Sequence, residues 1–186
     1  QNGGLWLATD GGGLNFMDPK SGTFSVWRHD EKDPQSLSSN ELLSLRADAQ
    51  GRLWIGTKAS GLDLLENPQA DDATFRNYSQ EQGFPDPTVW AIESDTSGRL
   101  WLSTNAGLLR FEPETGSVRR YDTSHGLQSN EFNLGAHFRS PSGELFFGGV
   151  NGVNAFFSEQ VRDNTTPPPV VLTSFHLLNQ PVEVGV

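Results

Sequence analysis

One short phrase occurs four times in this chain at nearly constant spacing, and this periodicity restricts the possible folds more than any other feature. It reads Gly4-Leu5-Trp6-Leu7-Ala8-Thr9, Gly51-Arg52-Leu53-Trp54-Ile55-Gly56-Thr57, Gly98-Arg99-Leu100-Trp101-Leu102-Ser103-Thr104 and Gly143-Glu144-Leu145-Phe146-Phe147-Gly148-Gly149. The aromatic anchors Trp6, Trp54, Trp101 and Phe146 lie 48, 47 and 45 residues apart. A second phrase follows each anchor: Gly13-Leu14-Asn15-Phe16, Gly61-Leu62-Asp63-Leu64, Gly107-Leu108-Leu109-Arg110-Phe111 and Gly152-Val153-Asn154-Ala155-Phe156.

Two looser matches complete the unit. An aromatic strand follows the second phrase at 24–27, 75–78 and 118–121, and another strand precedes the first phrase at 43–47, 89–94 and 134–139. The turns Asp48-Ala49-Gln50-Gly51 and Asp95-Thr96-Ser97-Gly98 join them; Asp caps such a turn through its side chain and Gly tolerates positive φ at its end. Four short strands at a period in the forties predict the blades of a β-propeller. A four-stranded blade cannot bury its faces alone. Stacking blade on blade would bury Trp54 and Trp101, each contributing roughly 2–3 kcal/mol. Fourteen strands are expected, three in the first unit, four in the second and third, and three in the fourth: an all-β fold of about three and a half blades.

The chain opens with Gln1 and is read as a piece of a longer protein. Apolar residues make up only 34% of it, while aromatics reach 10% beside 20 Gly and 11 Pro, a balance that suits short strands and turns. The formal net charge of -10 argues against a nucleic-acid partner or an anionic membrane surface. With no Cys, disulfides and thiolate metal sites are excluded. A composition break with three consecutive prolines falls at 158–169, so the propeller is assigned to 1–157, an extended linker to 158–169, and the first strand of another domain to 170–186.

The units around Trp54 and Trp101, with Gly61-Leu62 and Gly107-Leu108 after them, resemble the two-component regulator propeller repeat. Gly126-Leu127-Gln128-Ser129-Asn130-Glu131-Phe132-Asn133 is similar to the opening of that family's last blade. Pro168-Pro169-Val170-Val171-Leu172-Thr173-Ser174-Phe175 resembles the start of the triple-tyrosine, immunoglobulin-like domain that follows it. The resemblance implies the extracytoplasmic, periplasmic part of a bacterial receptor with a histidine kinase or diguanylate cyclase output, and a ligand that in some members is an oligosaccharide. Phe146 and Gly149 depart from the Trp and Thr of the pattern, as in a terminal blade.

No catalytic, metal or cofactor site is expected. The four His, at 29, 125, 137 and 176, share no ligand spacing. Asp122, Ser124 and His125 are adjacent in sequence, but a nucleophilic triad is defined by geometry. Trp6, Trp54 and Trp101 are assigned to the core, and Trp27 to an outer strand. In propellers the loops entering each first strand, and those between second and third strands, face the channel mouth. Here they offer Asn40, Lys58, Trp90, Asn105, Asn130, Asn133 and Asn151, the amides and aromatic face with which a sugar or other small ligand is bound. The competing readings are a propeller enzyme similar to streptogramin lyases, which needs clustered His and acidic residues, and a pure protein-interaction scaffold. Both cut faces are expected to bind neighbouring blades or a second copy; two copies would complete seven four-stranded blades.

Overall fold

The computed structural model describes residues 3–68 and 73–163, with the backbone of 176–177 and 180–181. Its strands fall in the expected groups of three, four, four and three, each group one antiparallel sheet in chain order. Blade 1 holds β1 (Leu5–Thr9), β2 (Gly13–Met17) and β3 (Phe24–Trp27); blade 2 holds β4 (Leu42–Ala47), β5 (Leu53–Thr57), β6 (Leu62–Leu65) and β7 (Phe75–Tyr78). Blade 3 holds β8 (Ala91–Ser94), β9 (Leu100–Thr104), β10 (Gly107–Glu112) and β11 (Ser117–Tyr121), and blade 4 holds β12 (Phe132–Arg139), β13 (Leu145–Gly149) and β14 (Gly152–Phe156). Three 3-10 turns, Gln80–Gln82, Thr123–His125 and Ser158–Gln160, are the helical elements among the described residues. A two-residue pair, β15 (His176–Leu177) with β16 (Gln180–Pro181), stands apart. The strand expected from 170 onward otherwise lies outside the described residues.

The core consists of the seams between blades. Leu14, Trp6 and Ala8 of blade 1 meet Leu53, Ile55 and Leu65 of blade 2. Trp54 and Leu64 of blade 2 meet Ile92, Leu102 and Phe111 of blade 3. Trp101 and Leu108 of blade 3 meet Leu145 and Phe147 of blade 4. Each anchor therefore points at the following blade. Trp54 and Trp101 are 0% and 1% exposed, as expected. Trp6 is only half-buried and leans on Trp27, with ring centroids 5.3 Å apart. Phe146 is half-buried too, and its neighbour Phe147 takes the fully buried place against blade 3.

The recurring residues explain one another. Asp48 accepts from the indole Nε1–H of Trp54 at 2.9 Å and from Arg52 Nε at 2.6 Å. Asp95 does the same for Trp101 at 3.1 Å and Arg99 at 2.7 Å. Each carboxylate thus closes its turn, orients the anchor ring and satisfies a donor that would otherwise be buried unpaired. In blade 4 Ser140 stands where the Asp would, and Phe146 has no N–H to offer; Ser140 Oγ still accepts from the Glu144 backbone N–H at 3.0 Å. At Gly61 and Gly107, with φ of +85° and +110°, a Cβ would run into the carbonyl oxygen of Tyr78 or Tyr121, so the second phrase needs its glycine.

The strand expected over 89–94 begins at Ala91. Val89 donates its N–H to Thr57 O of blade 2 at 2.9 Å, while Trp90 donates to Ser103 O of its own blade at 2.9 Å. The chain changes blades between these two residues.

Candidate functional site

The loops and turns that carry the expected ligand residues meet in pairs along one rim. Lys58, at the β5–β6 turn, places its Nζ 3.2 Å from Glu41 Oε1, a bond that raises the lysine pKa. Thr88 Oγ1 donates to Lys58 O at 2.8 Å and thereby ties the loop before blade 3 to blade 2. Trp90 donates its indole N–H to Asn105 Oδ1 at 2.9 Å; its ring is half-buried beside Trp101 and its neighbours. Asn151 donates its backbone N–H to Gln128 Oε1 at 2.7 Å.

Asn40 and Asn130 form internal braces. Asn40 O accepts from the N–H groups of Gly11 and Gly13, and its Oδ1 from His29 N–H at 2.9 Å. Asn130 O accepts from Gly107 N–H at 2.8 Å, and its Oδ1 from Thr123 N–H at 3.0 Å. Asn133 is exposed on β12. The rim therefore brings Lys58 to Glu41 and Trp90 to Asn105, and spaces the other residues along the blades.

A second polar group, on the inner strands, is one that sequence reasoning missed. Glu93 of β8 is 4% exposed and sits between two partners from the flanking blades. Arg46 Nη1 of β4 lies 2.9 Å from Glu93 Oε2, and His137 Nδ1 of β12 lies 2.9 Å from Glu93 Oε1. Arg46 also donates to Ser94 Oγ at 3.1 Å. A buried carboxylate is tolerated only when paired and hydrogen-bonded, and here the two partners come from the blades on either side. Two hollows of about 590 and 650 Å³ open near this group, and both are lined by Arg46 and Arg139. One signal was available: Arg46 and Glu93 occupy the same repeat position, opposite Trp54 and Trp101.

Asp122, Ser124 and His125 do touch one another, but as the cap of a 3-10 turn. Asp122 Oδ1 takes Ser124 N–H at 3.0 Å, Ser124 Oγ at 2.6 Å and His125 Nδ1 at 3.0 Å. Those bonds, led by the Ser124 hydroxyl, lower the Asp122 pKa to about 2. The serine hydroxyl lies 2.6 Å from the carboxylate and 3.3 Å from the imidazole Nδ1, and Asp122 contacts that same Nδ1, so the carboxylate holds both groups directly where a triad would relay through the imidazole. On the outer side, Asp163 reaches Arg110 Nη2 at 2.7 Å, Arg119 Nε at 2.9 Å and Tyr121 O–H at 2.8 Å. Burial, followed by the bond to Asp163, pushes the Tyr121 phenol up to about 12. The first residues after blade 4 are thus fastened back onto blade 3.

Comparison with known proteins agrees with this architecture. The family model described as "Two component regulator propeller" matches residues 36–59 and 83–106, each span running from a loop before a first strand to the end of a Trp-bearing second strand. Histidine kinase P4 of Formosa agariphila is 31% identical over 97% of this chain, and the chain spans 16% of that protein's length. Among solved structures, an extracellular domain assigned to a hybrid two component system of B. thetaiotaomicron superposes with a TM-score of 0.72 at 22% identity, over 83% of this chain and 20% of that one. Virginiamycin B lyase of Staphylococcus aureus superposes with a TM-score of 0.57 at 14% identity, over 86% of this chain and 54% of that one. At such identities the structural likeness establishes the propeller fold alone. The family model lies in phase with the repeats, so residues 36–59 and 83–106 of this chain are two-component regulator propeller repeats.

Proposed function

We propose that this chain is part of the ligand-sensing propeller of a two-component receptor, located in the periplasm and addressed to an oligosaccharide or a similar small polar ligand. The observation that carries the reading is the alignment of nearly the whole chain with a histidine kinase. The rim supports it chemically. Trp90, its indole N–H fixed by Asn105, presents an aromatic surface beside an amide, and the blade 2 turn adds the Lys58–Glu41 pair, a combination suited to stacking and hydroxyl recognition. On the same reading, the open faces of blades 1 and 4 are covered by further blades or by a second copy.

Titration of the chain with a panel of neutral oligosaccharides, followed by tryptophan fluorescence, tests the proposal. Saturable binding lost in Trp90→Ala is expected. Absence of binding to every glycan, together with capture of a protein partner through the rim, would instead make it a scaffold.

A lyase reading has one observation in its favour, the Glu93–His137 contact on the inner strands. Arg46 holds the same carboxylate, so Glu93 is shared with a second cation and is not dedicated to the imidazole. The chain is accordingly proposed to bind without performing chemistry. Turnover of a streptogramin by the chain, lost in His137→Ala, would reverse that conclusion.

A further inference from the structure

We infer that Arg139 and Arg46 form an anion subsite in the hollow beside the inner strands, and that the ligand it takes is an acidic sugar bearing a carboxylate or sulfate. The inference rests on the glycan-binding reading above and adds the ligand's charge and the place where it is read.

The chain carries a net charge of -10 and has ten arginines. Seven of them lie within 4 Å of a carboxylate. Among the described residues Arg28, Arg139 and Arg162 have no such partner; Arg28 and Arg162 are exposed, whereas Arg139 is half-buried. It lines both hollows.

The other charges there cancel in pairs. Asp48 and Asp95 line the 650 Å³ hollow, but Asp48 is held by Arg52 and Trp54, and Asp95 by Arg99 and Trp101. Glu93 is held by Arg46 and His137. These pairs leave the Arg139 guanidinium as the uncompensated charge, in a space whose volume suits a mono- or disaccharide. Ser94, Ser97 and Gln50 line the same space and supply neutral partners for ring hydroxyls. Arg46 holds Glu93 through Nη1 and Ser94 Oγ through Nε and Nη2, which leaves one N–H on each terminal nitrogen for a ligand in the hollow. A guanidinium pair favours oxyanions that offer two adjacent oxygens to its N–H forks.

The test is calorimetric titration of the 186-residue chain, at low and at high salt, with digalacturonate, a sulfated disaccharide, inorganic sulfate and neutral digalactose. Expected is saturable binding of one or both acidic disaccharides, weaker at high salt and reduced about tenfold or more by Arg139→Ala, with Arg139→Lys in between. The two acidic probes separate carboxylate from sulfate recognition. Binding of inorganic sulfate as strong as that of the sulfated sugar would overturn the sugar part of the inference. Equal binding of an acidic disaccharide by the native chain and Arg139→Ala would overturn the site. Binding of digalactose alone would overturn the acidic class while leaving the glycan reading standing, and binding of none of the sugars would overturn both. A urea midpoint for Arg139→Ala equal to that of the native chain verifies its fold, and Arg139→Gln carries the comparison if that midpoint falls.

Discussion

The two seams that flank blade 3 and the two outer faces use the same repeat and end in different states. Trp54 and Trp101 each have a blade in front of them and are sealed. Trp54 packs edge-on to Phe111 of the next blade at 5.7 Å, and Trp101 edge-on to Phe156 at 4.8 Å. At the ends, Leu5, Phe24 and Val26 of blade 1 and Phe138 and Val153 of blade 4 are each about half exposed or more. Strand alternation puts Leu5 and Phe24 on the face opposite Trp6, and Phe138 and Val153 on the face of Phe146. The repeat therefore specifies a direction: each blade extends its anchor forward and receives one from behind. Burial belongs to the seam, and a blade's own sequence supplies only half of it.

The largest expected effect follows directly. Trp54→Ala and Trp101→Ala should each lower stability by about 3–5 kcal/mol, since a large ring lost from a filled seam leaves a cavity. Trp6→Ala and Trp27→Ala, at half-buried positions, should cost visibly less. Urea denaturation of the four variants measures this, and equal midpoints would erase the distinction between sealed and half-buried positions.

The next effect is that of the turn carboxylate. Asp95→Ala removes the acceptor for Trp101 and Arg99 and should cost about 1–3 kcal/mol, chiefly because the indole N–H is left buried and unpaired. Ser140→Ala in blade 4, where Phe146 makes no such demand, should cost less. Asp95 has its pKa lowered in the folded chain; burial opposes that shift, and the bonds from Trp101 and Arg99 outweigh it. Its contribution is therefore present above the ordinary carboxylate pKa and is lost as pH falls through the lower folded value. Acid titration of stability should show a smaller drop in Asp95→Ala than in the native chain.

A smaller stability effect but a visible change of assembly is expected at the open faces. Phe24→Lys and Val153→Lys alter exposed residues, so unfolding should move by less than about 0.5 kcal/mol. Light scattering over a dilution series should show association in the native chain and its loss in the double variant. A monodisperse 20 kDa native species at every concentration would mean that the two faces do not associate.

The number and order of strands were legible because each depends on a local phrase: a glycine turn, an alternating apolar strand, an aromatic anchor. What depended on a neighbour was not. Trp6 carries the same phrase as Trp54 and differs only in its surroundings. The inner ion group draws one residue from each of three blades. His137 falls out of phase with Arg46 and Glu93 because the register of β12 shifts between Phe132 and His137, where Gly135 takes a φ of 71°. Asp163 lay in a stretch read as linker, and its partners Arg110 and Arg119 are more than forty residues earlier. The rim residues were legible as polar loop composition. That Asn40 and Asn130 turn inward to brace glycine N–H groups is a matter of backbone path, which composition does not encode.

The last expected effect concerns one position that the blades fill in three ways. In blade 2, Asp63 is fully buried and accepts from Ser38 N–H at 3.0 Å, Ser38 Oγ at 2.9 Å and Asn77 Nδ2 at 3.0 Å. In blade 4 the equivalent Asn154 accepts from Gln128 N–H at 3.1 Å. In blade 3 the position is Leu109, and the loop residue that aligns with Ser38 and Gln128 is Pro85, which has no N–H to satisfy. The blades thus match acceptor to donor, and blade 2 alone does so with a group that can titrate. Burial raises the Asp63 pKa above 3.8 despite its hydrogen bonds. The folded chain therefore favours the protonated form, and stability associated with Asp63 is greatest at low pH and declines as pH rises through the folded value. Asp63→Asn keeps an oxygen for Ser38 N–H, as Asn154 does natively, and removes the titration. The variant should match or exceed the native chain at pH 7 by up to about 1 kcal/mol, and the gap should narrow toward pH 4. Unfolding midpoints of both proteins across that range decide it. A variant less stable at pH 7 whose deficit shrank in acid would show that the ionised carboxylate is worth more to blade 2 than the amide is to blade 4.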